Sequence, residues 1–477
     1  MKRVLRWPSA ALALSLVFAA SACTNEPTGT TGTNATTNTT TNTTATPAAT
    51  PAADTAAAGG ANMPVTLPVL DALFADERFA GELKSRLQLT DEQVERLRAV
   101  AREETSSLRE GEGDAHGGRT SEATARAEER VRSVVGDEKA RQLMSFVRER
   151  WSTGGESGEA AALMASKPNA VPTDTRIVVN APAYRMDVFE GGRLVKSYRI
   201  GIGYPEFPLP TGMRRATSII FNPTWTPPDE PWVEAPSSKV KVGETVPAGS
   251  KLNPLGPIKI PIGLPSLIHG GKSPARLGTF ASHGCVGLTD KQVQEFAPVI
   301  ARLGGADVTA EDVTNYAKQK TETKNVKLER PVPVELRYET IVVENGKLYI
   351  YRDVYDHGTN TEQNLRAVLQ AHGVSFDQLS EPERAQVMQA LQEMARDAQG
   401  NPADGQPTPT PAADNKNKNK NANAGGERVT RNVKGRKEIV LEIAALQGKG
   451  YPAPVDLNTG GAPQQQQKPA AKRAKRS

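Results

Sequence analysis

The sequence predicts a mainly β domain, a sandwich or irregular barrel, set between an α-helical N-terminal module and a C-terminal helical extension, with a disordered stalk and tail at the ends. Three observations lead there. From Thr175 the apolar residues recur with period two, as in Tyr184, Met186 and Val188. Pro and Gly punctuate the chain from Gly201 to Pro265, which implies short strands joined by turns. On either side of this region the apolar spacing changes to three and four, as amphipathic helices require.

The elements follow in chain order. Lys2, Arg3 and Arg6 precede a short apolar run, Ala10 to Ala20, which ends in Ala20-Ser21-Ala22-Cys23. Residues 1–22 therefore read as an export signal. Residues 23–61 are Thr, Asn, Ala, Gly and Pro with almost no large apolar side chain; such a stretch cannot offset the entropy of folding and reads as a stalk. Residues 62–151 form the helical module. Thr90 and Gln93 have capping-box spacing, and Val94, Leu97, Ala101 and Leu108 follow on one face. After a Gly-rich break, Gly111 to Gly118, a second helix is expected over Ser121 to Trp151, with Val131, Val134, Val135, Leu143, Phe146 and Val147 inward. Residues 152–172 are a linker and residues 173–358 the β domain. Within the latter, Thr289 and Gln292 open a helix, and Asn345-Gly346 turns a hairpin in the segment Pro331 to Tyr355. Residues 359–400 are the helical extension. Residues 401–477 are a mostly disordered basic tail with one apolar island, Ile439 to Leu446.

Composition narrows the function. The chain has 477 residues, 37% hydrophobic, with 41 glycines, so wholesale disorder is excluded. A mean hydropathy of −0.49 excludes a polytopic membrane protein. The net charge of +5, from 59 basic and 54 acidic residues, is too small to imply a nucleic-acid partner. Much of the excess sits at the end of the tail, in Lys468, Lys472, Arg473, Lys475 and Arg476.

There are two cysteines, Cys23 and Cys285, in settings too different to pair. Once the signal is removed, Cys285 is the one thiol of the folded region. The stretch around it reads Ile268-His269-Gly270, then Ser282-His283-Gly284-Cys285. A thiolate is a nucleophile, and a neighbouring imidazole and backbone amides lower a thiol pKa. In an extended segment His283 and Cys285 face the same side, which makes them a nucleophile–base pair. Gly284 lets amides approach a developing oxyanion. The alternative is a zinc site built from His269, His283 and Cys285, but no fourth ligand is apparent, and neither a metal nor an organic cofactor is expected. His116, His357 and His372 each lie beside a Gly near an element end and are expected to face solvent.

The pattern from His269 through Ser282-His283-Gly284-Cys285 resembles the signature of the YkuD-type L,D-transpeptidases, cysteine enzymes that cross-link peptidoglycan. Leu209-Pro210-Thr211-Gly212, Asn253-Pro254-Leu255-Gly256 and Tyr338-Glu339-Thr340 with Arg352-Asp353-Val354-Tyr355 extend the similarity. The resemblance implies that Cys285 attacks a stem tetrapeptide at its third residue, diaminopimelate, expels the terminal D-alanine and passes the acyl group to an amine. His283 would be the base, and amides at Gly284 and Cys285 the oxyanion donors. His269, Gly270, Ser282, Arg276, Trp225 and Tyr204 are the expected substrate-binding residues, with Ser282 structural or orienting the imidazole. The family commonly carries Arg where this chain has Gly287; Arg276 or Lys272 are candidates to replace it. On the same fold, water as acceptor gives an L,D-carboxypeptidase, and a lipoprotein lysine a protein–wall ligase. Loss of catalysis leaves a wall-binding lipoprotein.

Two further resemblances concern the flanks. Residues 20–23 resemble a lipobox, which implies lipidation of Cys23 and a membrane-anchored protein facing the periplasm and cell wall; an ordinary signal peptide is the alternative. Leu89-Thr90-Asp91-Glu92-Gln93 is similar to the LTxxQ helical modules of periplasmic proteins, so residues 62–151 are the expected surface for a protein partner, or else a helical hairpin with no separate activity.

Overall fold

Local hydrogen bonding starts the helices where the sequence places them. Thr90 Oγ1 accepts the Gln93 N–H (3.2 Å) while Gln93 Oε1 accepts the Thr90 N–H (3.1 Å), and the helix Asp91–Ser107 follows. Thr289 and Gln292 make the same reciprocal pair at the head of Asp290–Leu303. The structure is a computed structural model that describes residues 63–108, 119–153, 167–227, 239–241, 243–402 and 429–457. The export signal, Cys23, the stalk, the Gly111–Gly118 break and most of the linker lie outside these residues. All described residues belong to the unit Asp54–Ser477.

The helical module has two helices ahead of the expected pair, Leu67–Phe74 and Glu77–Leu87. The single helix expected over 121–151 is two, Thr120–Val135 and Asp137–Thr153, because Gly136 adopts φ +81 between them. Phe79, Leu83, Leu97, Val131, Leu143, Val147 and Trp151 share one buried core. Each such side chain contributes about 1.5–3 kcal/mol when removed from water.

The β domain is built on one curled, mixed sheet of eight strands. Their order is β3 (Arg193–Arg199), β2 (Arg185–Glu190), β1 (Arg176–Asn180), β10 (Lys324–Arg337), β5 (Gly212–Phe221), β6 (Ile258–Pro261), β7 (Leu267–His269) and β9 (Val286–Gly287). A short parallel pair, β4 (Ile202–Gly203) and β8 (Phe280–Ser282), lies beside it. Period two governs the faces. Ile177 and Val179 of β1 enter the main core with Met186, Val188, Ile260, Ile268, Val286 and Phe296, whereas Val178 packs on the opposite face with Phe189, Val342, Tyr351 and Tyr451.

That opposite face is covered by a second sheet. The hairpin turns at Asn345-Gly346 as expected, through φ +46 and +77, but its strands β11 (Ile341–Glu344) and β12 (Lys347–Tyr351) do not join the main sheet. β12 pairs with β13 (Glu438–Glu442), and the three strands share a core with the helices Glu362–Ala371 and Glu381–Met394. Residues 429–457 of the tail are thus folded: Ile443, Leu446 and Tyr451 are buried, and the apolar island is a strand followed by a 3-10 turn, Ala444–Leu446. Among the described residues no helix is long and apolar enough to cross a membrane.

Candidate active site

The ends of four short strands converge on Cys285. β7 runs parallel to β9 with His269 opposite Gly287. β4 runs parallel to β8, and Gly201 and Gly287 exchange two backbone hydrogen bonds of 2.9 Å. The link from β8 to β9 is the segment His283-Gly284-Cys285.

This link is a tight turn and not the extended segment that the same-side argument requires. Gly284 sits at φ +79, which breaks the strand alternation. Ser282 closes the turn: its Oγ donates to the Cys285 carbonyl (2.6 Å) and accepts the Cys285 N–H (3.1 Å). Ser282 is buried, and both of these bonds go to the Cys285 backbone. The Cys285 amide, expected to be an oxyanion donor, is engaged by Ser282.

Cys285 is half-buried. Burial pushes its thiol above the ordinary range, against the opposing pull of the Leu267 backbone, hydrogen-bonded to the sulfur, and of the Lys272 charge. This upward shift runs against the lowering expected from the imidazole and backbone amides. His283 is half-buried against two aromatic rings, with centroids 5.2 Å from Tyr204 and 4.4 Å from Phe207, both edge to face. Arg276 Nη2 donates to the Tyr204 hydroxyl at 3.1 Å, so Arg276, Tyr204 and His283 form one chain of contacts.

His269 is buried, and its Nδ1 lies 2.8 Å from the Gly270 carbonyl, to which it donates. Burial, reinforced by Lys272, drops its pKa to about 3, so the ring is neutral. Gly270 is required by packing: a Cβ there would lie 2.9 Å from Val293 Cγ1 and 3.0 Å from Asp290 Oδ1. Trp225 lies beyond β5, where its N–H and C=O pair with Val246. His357 is half-buried, not solvent-facing, its ring 3.9 Å from that of Tyr338, and His372 is half-buried as well; His116 lies outside the described residues. Among the described residues no three or more His, Cys, Asp or Glu side chains are placed to hold a metal ion.

Sequence reasoning named Tyr204 but missed Phe207 and the side chains that support the loop 203–211, which carries both rings to the imidazole. A Cβ at Gly203 would meet the Phe207 carbonyl at 2.1 Å and Gly284 Cα at 3.1 Å, so a side chain there would displace the turn. The Tyr355 hydroxyl donates to the Gly203 carbonyl (2.8 Å) and accepts the Leu209 N–H (3.2 Å). From the helical module, Thr66 Oγ1 donates to the Glu206 carbonyl (2.9 Å) and Thr120 Oγ1 to the Pro205 carbonyl (2.8 Å). From the C-terminal segment, Thr430 Oγ1 donates to Glu206 Oε1 (2.9 Å). The one sequence signal was the run Tyr204-Pro205-Glu206-Phe207-Pro208, two aromatics in a stiff, Pro-rich loop.

Cys285 thus stands on a glycine turn, two residues after His283, where the ends of short strands meet. Residues 174–333 match YkuD, the L,D-transpeptidase catalytic domain. The matched span includes the whole Cys285 site except Tyr355 and the supports from the flanking segments. Solved structures with the same name show distant likeness. The catalytic domain of an E. faecium L,D-transpeptidase is 16% identical with a TM-score of 0.23, over 35% of this chain and 100% of that one. An L,D-transpeptidase from Mycobacterium smegmatis is 15% identical with a TM-score of 0.22, over 34% of this chain and 58% of that one. L,D-transpeptidase 1 of Mycobacterium tuberculosis is 15% identical with a TM-score of 0.20, over 34% and 60%. The match spans less than two thirds of either mycobacterial chain. No curated protein matches this chain.

Proposed function

We propose that this protein is a peptidoglycan L,D-transpeptidase that works through a Cys285 thioester. His283 takes the thiol proton as sulfur attacks the carbonyl of the diaminopimelate in a donor tetrapeptide. The carbonyl π electrons move to oxygen, which the Gly284 amide stabilises. Collapse of this intermediate breaks the amide bond, and His283 returns the proton to the nitrogen of the departing D-alanine. An acceptor amine then attacks the thioester, gives up a proton to His283 and restores the thiol. A thiol pushed up by burial suits this sequence, because deprotonation is coupled to attack. The observation that carries the reading is Cys285 at the tip of a turn closed by Ser282, two residues from His283, within the span that matches the YkuD domain.

The remaining parts of the proposal concern placement. Lipidation of Cys23 would tether the enzyme by its stalk to a membrane facing the cell wall. The helical module would serve the loop 203–211 as an internal support and present its outer face to a partner.

A carbapenem tests the chemistry. The purified protein is expected to gain the mass of one acyl adduct, and Cys285→Ala to gain none. A native protein that stays unmodified over hours refutes the reading. Muropeptides from sacculi treated with the enzyme then tell 3→3 cross-links from tripeptides or an attached lipoprotein.

A further inference from the structure

We propose that Lys272, laid across Gly287, is the residue that binds the terminal carboxylate of the donor peptide, and so selects donors whose leaving residue ends in a free acid. The inference rests on the reading of Cys285 as the acyl acceptor and adds the group that orients the leaving residue.

The backbone fixes where Lys272 starts. Its N–H donates to the Leu288 carbonyl (3.1 Å), and the Leu288 N–H donates to the His269 carbonyl (2.8 Å), so the chain leaving β7 stays beside β9. The absence of a side chain at 287 then fixes where Lys272 goes. A Cβ on Gly287 would lie 2.9 Å from Lys272 Cγ, 3.0 Å from Cε and 3.4 Å from Cδ. The lysine stem fills the space that a side chain at 287 would occupy. Gly287 is two residues from Cys285, and the Val286 side chain between them is in the core. The stem therefore lies beside the turn that carries the sulfur. The ammonium lies close enough to act on two groups of the site, Cys285 and His269.

The chemistry of the donor supplies the counterpart. In a tetrapeptide the scissile amide is followed by one residue, whose carboxylate ends the chain a few bonds from the carbonyl under attack. Such an anion must be met near the nucleophile, and neutral His269 provides no charge. A half-buried ammonium on an apolar stem, held against backbone, meets it with little loss of side-chain freedom. Arg276, the other cation of this loop, donates to the Tyr204 hydroxyl on the His283 side.

Binding tests this apart from turnover. Calorimetry on Cys285→Ala would use two synthetic stem tetrapeptides, one with a terminal carboxylate and one with a terminal carboxamide. The acid is expected to bind about 10-fold tighter, the worth of one charge-assisted hydrogen bond at a partly exposed site. Adding Lys272→Met should erase that preference, while Lys272→Arg should keep most of it. Equal binding of the two peptides, no binding of either, or a preference that survives Lys272→Met overturns the proposal. If the preference depends on Lys272 but the native protein releases no D-alanine from the acid, the carboxylate site stands and the acyl-transfer reading fails.

Discussion

Ser282→Ala probes the turn that carries the nucleophile. The substitution removes one atom that makes two hydrogen bonds, 2.6 Å to the Cys285 carbonyl and 3.1 Å from the Cys285 amide. Ser282 is buried, so water does not readily replace its hydroxyl. Each lost bond leaves a backbone group without its partner and costs about 1–2 kcal/mol. A loss of about 2–4 kcal/mol is expected, which urea denaturation should report as a lower midpoint at unchanged m-value. Ser282→Thr keeps the oxygen and should recover much of the stability. The rate of carbapenem acylation should fall at least about 10-fold in the alanine variant, since the turn loses both ties that hold the sulfur. Stability within about 0.5 kcal/mol of the native protein, together with a native acylation rate, would show that Ser282 does not shape the turn.

Three other outcomes follow from the same geometry. Gly284→Ala has room for the methyl group, whose nearest contact is the Pro208 carbonyl at 3.7 Å, so its cost of about 1–2 kcal/mol comes from φ +79; acylation slower than in the native protein is expected, and a fully active variant would contradict it. Tyr355→Phe leaves the Gly203 carbonyl and Leu209 amide without the hydroxyl they share, and should cost about 2 kcal/mol and loosen the loop beside His283, seen as faster hydrogen exchange at residues 203–211. Asp356 is pushed from an ordinary 3.8 to about 7 by burial and by Asp353 and Asp397, against the opposing pull of Arg119. The folded protein thus keeps a proton between pH 4 and 7 that the unfolded chain releases, so stability falls as pH rises through that window and is level above it, by at most about 4 kcal/mol. Asp356→Asn, whose side chain tolerates the φ of +51, should be more stable than the native protein at pH 8 and equal to it at pH 4; the same gain at both values would refute the assignment.

The sequence by itself determined the features whose partners lie three or four residues apart. The capping pairs at Thr90 and Thr289, the turn at Asn345-Gly346 and the grouping of His283, Gly284 and Cys285 all close over a few bonds, and side-chain chemistry alone selects them. The mainly β character of residues 174–333 was legible too, because alternation records which face is wet.

Only the tertiary structure decided what meets across long loops. It routed the hairpin of β11 and β12 to β13, about 90 residues later, because a weakly apolar strand declares itself only when a partner edge covers it. It placed Tyr355, Thr66, Thr120 and Thr430 around the loop 203–211 and laid Lys272 over Gly287. It also set the state of the sulfur. A motif names the groups near a thiol, but desolvation is a property of everything packed around it, and at Cys285 desolvation outweighs the neighbouring charge.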